Sequence, residues 1–172
     1  MRICFFSDIH GVAPQLEKFF AAADRLKPDI FVLLGDCLYH GPRNGVPQAY
    51  APTEAVDMLN ARKKQIMAVR GNCDSEVDQM LLEFPIMADY SILQADKQRF
   101  FLTHGHLWNE FDLPPIPSDT ILVHGHTHLP VLKKLDNGIT VFNPGSISLP
   151  KGGNPPSFGF YDGSELSLVT LN

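Results

Sequence analysis

"RICFFSDIHGVAPQLEKFFAAADRLKPDIFVLLGD" spans residues 2–36, and the alternation inside it decides the fold. "RICFFSD" (2–8) and "DIFVLLGD" (29–36) are unbroken apolar runs, each closed by an aspartate. Between them, Leu16, Phe19, Phe20 and Ala23 in "PQLEKFFAAADRL" (14–26) fall at i, i+3, i+4 and i+7, one apolar face of a helix. Strands apolar on both faces, alternating with helices, predict a parallel sheet covered by helices. The pattern continues with a helix over 53–64, Thr53 its expected N-cap, a strand over 65–72 and a short helix over 74–83.

The second half is richer in strands. "ADYSILQ" and "QRFFLTH" flank the polar turn "ADK", and "TILVHGH" follows. "PVLKKLD" and "ITVFN" flank Asn137-Gly138, a strong hairpin signal, and "PSFGFYD" and "ELSLVTL" flank Gly163 in the same way. Two long turn-rich loops, 37–52 and 144–157, have the length that functional loops tend to have. Phe5, Phe6, Phe19, Phe20, Phe31, Phe100 and Phe101 lie on these elements and are expected in the core.

The chain has 172 residues, 44% hydrophobic and 19% charged, which suits one packed domain over 1–172 rather than disorder. No apolar run approaches the ~20 residues that span a bilayer, and "MRICFFSDIHG" does not read as a signal peptide, so a cytoplasmic location is expected. Cys4, Cys37 and Cys73 are odd in number and form no CxxC pair, which argues against a disulfide framework or a thiolate zinc site. A formal net charge of −5 argues against non-specific nucleic-acid binding.

Asp8, Asp36, Asn72, His104, His126 and His128 all fall at the carboxyl ends of expected strands, the edge where open α/β sheets bind ligands. Six of the seven histidines sit in three short stretches: His10, then His104 and His106, then His124, His126 and His128. Asp8/His10 and His126/His128 are i, i+2 pairs, which in an extended chain share a face. Imidazole and carboxylate together suit Zn, Mn or Fe.

"Asp8-Ile9-His10", "Gly35-Asp36", "Gly71-Asn72-Cys73-Asp74", "His104" and "Gly125-His126-Thr127-His128" resemble, in order, the signature blocks of the calcineurin-like metallophosphoesterases. "HGPRN", "RGNCDSEVDQMLL" and "NPGSISLPKGGNP" are closer still to the small bacterial YfcE-type phosphodiesterases. The resemblance implies an α/β fold, an αββα sandwich of mixed sheets with helices on the outer faces. It implies two divalent cations per chain, manganese first, with zinc or iron also compatible. Asp8, His10 and His128 would hold one, Asn72, His104 and His126 the other, and Asp36 would bridge them. The implied reaction is hydrolysis of a small phosphodiester by in-line attack of a hydroxide shared by the metals.

Family members usually carry a histidine where this chain has Cys73, and a thiol cannot replace an imidazolium as a proton donor. Cys73, Asp74 and Arg43 are the candidate catalytic auxiliaries, Asp74 being equally readable as a helix N-cap and Arg43 as a solvated loop residue. Lys151 has a weaker claim of the same kind as Arg43. Asn143 and Ser146 are candidate partners of the ligating imidazoles. His40, His106 and His124 are candidates for the cleft or its support, and Trp108 for a cleft wall or a subunit contact. Two other readings stay open: a non-catalytic metal-binding scaffold for protein contacts, and a single structural metal site. Homo-oligomerisation is also left open.

Overall fold

The computed structural model describes residues 1–171. Five strands form a first mixed sheet in the order β10-β9-β1-β2-β3, where β1 is Ile3–Phe6, β2 Ile30–Leu33, β3 Ile66–Ala68, β9 Ser157–Tyr161 and β10 Leu166–Thr170. β1, β2 and β3 are parallel, and the C-terminal hairpin β9–β10 adds to β1 antiparallel. The second sheet runs β4-β5-β6-β8-β7, from β4 (Tyr90–Ala95), β5 (Gln98–Thr103), β6 (Ile121–Val123), β7 (Pro130–Lys134) and β8 (Thr140–Pro144). Here β5, β6 and β8 are parallel, and β4 and β7 pair antiparallel at the two edges. The three expected hairpins are therefore all present.

The sheets face each other across a core of Ile3, Phe5, Val32, Leu34 and Val69 from the first and Phe100, Leu102, Val123 and Phe142 from the second. The other face of the first sheet packs on α1 (Ala13–Ala23) and α2 (Pro52–Asn60). Pro14 opens α1, where a missing N–H costs nothing. Its stripe of Leu16, Phe19, Phe20 and Ala23 is buried, and Phe19 stacks on Phe6 at 4.3 Å between ring centroids. Each such ring contributes about 2–3 kcal/mol by leaving water. All seven phenylalanines expected in the core are buried.

Two local expectations need correction. Thr53 is not an N-cap: Pro52 occupies the first turn of α2 and Ala51 precedes it. Asp74 is not one either, because α3 (Glu76–Leu81) starts after Ser75, whose backbone N–H is taken by the Asp78 carboxylate at 2.7 Å. The expected sandwich of two mixed sheets is present, with α1 and α2 packed on the first sheet. The outer face of the second is covered by residues 104–120, where Trp108, Leu113 and Ile116 pack on Phe101, Leu122 and Val141. Pro114, Pro115 and Pro117 in that segment deny it helical hydrogen bonding.

Candidate metal centre

β1, β2 and β3 end at one edge of the first sheet, and β5 and β6 end at the corresponding edge of the second. The turns leaving these strands bring the expected ligands together, but not as an extended chain would. β1 already ends at Phe6 and β6 at Val123. Asp8, His10, Asp36, His126 and His128 all have left-handed backbone, with φ between 50° and 66°. They are five of the seven non-glycine residues with positive φ among the described residues. Aspartate and histidine tolerate this region better than most residues, though still at a cost. The side chains converge because of this twist rather than because i and i+2 share a strand face.

Each turn is clamped by neighbouring backbone. The Asp8 amide donates to the Gly35 carbonyl, the His10 amide to Asp36, and the Gly125 amide to His104. Two glycines permit the closest approaches. A Cβ on Gly71 would collide with Asp36, and one on Gly125 would meet the Ser7 side chain and, at 2.8 Å, Asp8 Oδ2.

The imidazoles are oriented from behind. Nδ1 of His10 donates to the Tyr39 carbonyl at 2.8 Å, that of His104 to Leu34 at 2.6 Å and that of His128 to Leu149 at 2.6 Å. Such support fixes the ring's orientation and turns Nε2 toward the centre. Asp8 Oδ1 lies 3.7 Å from His10 Nε2 and 3.3 Å from His128 Nε2. Asp36 Oδ2 lies 3.6 Å from His10 Nε2 and 3.4 Å from His104 Nε2, placing one carboxylate oxygen between the two groups. Asn72 Oδ1 is 3.0 Å from His104 Nε2, and the His126 ring centroid is 5.1 Å from that of His104.

Ligand atoms about 2.0–2.2 Å from one cation lie about 3–3.5 Å apart. The distances around Asp8, His10 and His128 and around Asp36 and His104 are of that size, and most exceed a good hydrogen bond. Asp8 Oδ1 and His10 Nε2 are buried with no hydrogen-bond partner among the described residues. Buried acceptors facing one another without a donor are costly unless a cation sits between them. The donor set therefore fits a metal.

The electrostatics agree. Burial opposes charge on Asp36, but the His104 imidazole, the Cys73 N–H and His10 hold its carboxyl well below the usual range. Burial likewise disfavours charge on His104, yet hydrogen bonding to Asp36 and the Asp8 and Asp36 charges raise it to about 9. In the metal-free protein a proton on His104 thus occupies a place suited to a cation. His126 is depressed to about 4 by burial and by the neighbouring His104, and burial also lowers His128, so both present neutral rings near pH 7.

The remaining candidates divide. The Cys73 sulfur stands within 4.8 Å of ligating atoms of His10 and Asp36. Burial and the Asp36 carboxylate push its thiol up to about 12. Asp74 accepts hydrogen bonds from the backbone amides of Asp36, Cys37 and Gly71 at 2.9, 2.8 and 2.7 Å, tying together the turns after β2 and β3. Arg43 and Lys151 line a cavity of about 390 Å³ together with Asp36, Asn72, Cys73 and His126. His40 turns to the carbonyl of Gly41 instead. His106 packs 5.5 Å from His104, with its Nδ1 buried and without a hydrogen-bond partner among the described residues.

Asn143 and Ser146 do not reach the ligating rings. Asn143 Nδ2 holds the Gly125 carbonyl and Thr127 Oγ1 at 2.8 and 3.0 Å. Ser146 Oγ donates to the Asp8 carbonyl at 2.9 Å and accepts the Leu149 amide at 2.8 Å, fixing the carbonyl that orients His128. His124 is fully buried, its Nε2 2.8 Å from Glu110 Oε2, and Lys133 Nζ lies 3.6 Å from Oε1. Glu110 escaped the sequence reading because nothing in "HLWNEFDLPP" marks that glutamate as the one turned inward. Trp108 lies against Tyr90 and Phe101 on the outer face of the second sheet, away from the cavity.

Comparison with known proteins is consistent along the whole chain. The family model of the calcineurin-like phosphoesterase superfamily domain matches residues 1–165. The chain is 49% identical to Phosphodiesterase YfcE of Escherichia coli (strain K12) over 172 residues, which cover 100% of this chain and 93% of that protein. It is 26% identical over 153 residues to Phosphodiesterase MJ0936 of Methanocaldococcus jannaschii, covering 84% of this chain and 83% of the relative. A solved structure of YfcE, described as a phosphoesterase from E. coli, superposes with a TM-score of 0.96 at 50% identity, covering 100% of this chain and 94% of that one.

Proposed function

Because the chain belongs to the calcineurin-like phosphoesterase superfamily, we propose that residues 1–172 form one cytoplasmic hydrolase domain that cleaves small phosphodiesters at a pair of divalent cations. The observation that carries this reading is the position of Asp36 Oδ2, 3.6 Å from His10 Nε2 and 3.4 Å from His104 Nε2. A single closed structural site has no use for a carboxylate between two sets of donors. Asp8, His10 and His128 would hold one cation, Asn72, His104 and His126 the other, and Asp36 would serve both. Manganese is the first candidate, with zinc and iron compatible with the mixed nitrogen and oxygen donors. When bound, the cations supply Lewis acidity to the phosphoryl group and make water acidic enough to act as a nucleophile near pH 7.

The chain's own residues do the rest. Arg43 and Lys151 line the cavity and offer positive charge to the substrate's non-bridging oxygens. Cys73, kept neutral by its high pKa, is a poor proton donor to the leaving oxygen. Substrates whose leaving group departs without much protonation are therefore favoured, and aryl phosphodiesters are of that kind. Asp74 acts on the site through the backbone of Asp36 and Gly71 and is a positioning residue. Among the described residues no helix is long and apolar enough to cross a membrane. The scaffold reading draws on the exposed Val77, Met80 and Leu81 of α3. It leaves unexplained why Asp8 Oδ1 and His10 Nε2 are buried without partners.

The test is reconstitution of the chelated protein with Mn²⁺, followed by assay on paired aryl mono- and diesters. About two metal ions per chain and a preference for the diester are expected, and Cys73→His should move the diester-to-monoester ratio of kcat/KM toward the monoester. One ion per chain with no hydrolysis would establish the structural-site reading instead.

Metal uptake should also depend on pH in a defined direction. His104 must lose its proton to ligate, and its folded value is about 9. Affinity for Mn²⁺ is then expected to rise roughly tenfold per pH unit between about 7 and 9 and to level off above that. Competition with a chelating dye across that range measures the slope. A flat profile would show that metal binding releases no proton from His104 over this range and would overturn its raised value.

A further inference from the structure

Two cavities meet at Cys73, which lines both. One is the polar cavity beside the metal centre. The other, of about 380 Å³, lies between the loop after β2 and α3, with Leu38, Tyr39, Tyr50, Pro52, Val77 and Leu81 in its walls. Its polar members Ser75 and Asp78 are turned to each other, the Asp78 carboxylate accepting the Ser75 amide at 2.7 Å and its hydroxyl at 2.9 Å. What remains is mostly apolar. One wall is tied to the ligands, because the Tyr39 carbonyl holds His10 Nδ1 at 2.8 Å. So is the junction: the Cys73 amide donates to Asp36 Oδ1 at 2.8 Å, and its sulfur lies within 4.8 Å of ligating atoms of Asp36 and His10. A phosphate held by those ligands has Cys73 beside it and the apolar cavity beyond. Val77 and Leu81 are 65% and 51% exposed, so the far wall stands open to whatever the phosphate carries.

We propose that this cavity receives the ester group that stays on phosphorus, and that the substrates are diesters of an apolar alcohol about the size of one ring. The inference rests on the phosphodiesterase reading above and deepens it. At the site a diester differs from a monoester in one respect: an uncharged arm replaces an anionic oxygen. Arg43 and Lys151 answer the charged oxygens in the polar cavity. The arm has no charge to offer them, whereas the walls beyond Cys73 favour apolar area taken out of water. A sugar or glycerol arm would set hydroxyls against aliphatic and aromatic walls. The leaving oxygen must stand opposite the attacking water. Cys73 is bonded to the carboxylate placed between the two donor sets, on the attacking side, so the arm beside it is the one that remains. The volume sits at the small end of the range for ligand sites, which suits a single ring.

The test uses esters that share a p-nitrophenyl leaving group and carry primary alkyl arms of similar reactivity. Methyl, 2-phenylethyl and 2,3-dihydroxypropyl p-nitrophenyl phosphate are assayed with the Mn²⁺-loaded full chain. Expected is a kcat/KM about tenfold higher for the phenylethyl than for the methyl ester, with the dihydroxypropyl ester no better than methyl. The double variant Val77→Ser, Leu81→Ser should cut that preference to about twofold and leave the methyl ester unchanged. Both side chains are exposed, so the fold tolerates the change. With Zn²⁺ in place of Mn²⁺, bis(2-phenylethyl) phosphate, which has no good leaving group, should shift the methyl resonances of Val77 and Leu81. Equal kcat/KM for all the esters, or a preference that survives the double variant, overturns the proposal and leaves the phosphodiesterase reading in place. Turnover of none of them overturns both. Equal kcat/KM together with a lower solution mass of the double variant would assign this face to a second copy of the chain instead.

Discussion

Asp36→Asn is expected to lower kcat/KM by about 10³–10⁴-fold, the loss of several kcal/mol of transition-state stabilisation. The substitution keeps the side chain's size and removes its charge. In the native site Oδ1 accepts the Cys73 amide at 2.8 Å while Oδ2 faces the nitrogens of His10 and His104. An asparagine that keeps the first contact turns its NH₂ toward both imidazoles and donates where a cation would bind. Metal content should fall from about two ions per chain to one or none. The native protein should gain about 10 °C in Tm at saturating Mn²⁺, and the variant should lose most of that gain, because a ligand at a thousand times its Kd stabilises by about 4 kcal/mol. In chelator the two proteins should melt within a few degrees of each other, which separates loss of metal from loss of fold. A variant that keeps two ions and native turnover would remove Asp36 from the bridging position.

Gly125→Ala should be strongly damaging for a single added methyl group. Gly125 has ordinary backbone dihedrals; what it lacks is room. Its amide donates to His104, its carbonyl accepts Asn143 Nδ2, and its Cα faces the end of β1. A Cβ there runs into the Ser7 side chain and comes within 2.8 Å of Asp8 Oδ2, the oxygen that accepts the His126 amide at 3.1 Å. Either the two sheets part or Asp8 turns away, and both disturb the same donors. A destabilisation of about 3 kcal/mol is expected, a Tm lower by about 6–12 °C, together with loss of tight metal binding. Adding Ser7→Gly should recover much of the melting temperature, because it removes the nearest obstruction, but little of the metal affinity, because the contact with Asp8 remains. Full recovery of both by the double variant would locate the damage at Ser7 alone.

The parts of the fold legible in the sequence were those in which one chemistry repeats. Apolar runs such as Ile3–Phe6 and Ile30–Leu33 announce buried parallel strands, and Asn137-Gly138 announces its hairpin. The ligand candidates stood out because aspartate and histidine are conspicuous at strand ends. Their convergence was expected from strand alternation, yet Asp8 and His10 lie beyond the strand in turns of opposite hand. Residue identity shows that a side chain can coordinate, while backbone twist decides where it points, and twist has only a weak signature at a non-glycine residue. The cover of the second sheet was hidden for a related reason. Trp108, Leu113 and Ile116 follow no period of 2 or 3.6, so an irregular segment that buries apolar side chains resembles an ordinary loop. Glu110 and His124 find each other across that segment, a pairing set by tertiary packing alone.

The left-handed turns at Asp8, His10, Asp36, His126 and His128 also bear on how the protein is loaded. Each such peptide is disfavoured by about 1–2 kcal/mol for an L-residue, and the strands and carbonyl clamps behind it enforce it whether or not a cation has arrived. The cage is thus complete when the polypeptide finishes folding. Cations that bind there would enter a socket already shaped by the backbone, so discrimination among them would rest on size and donor geometry.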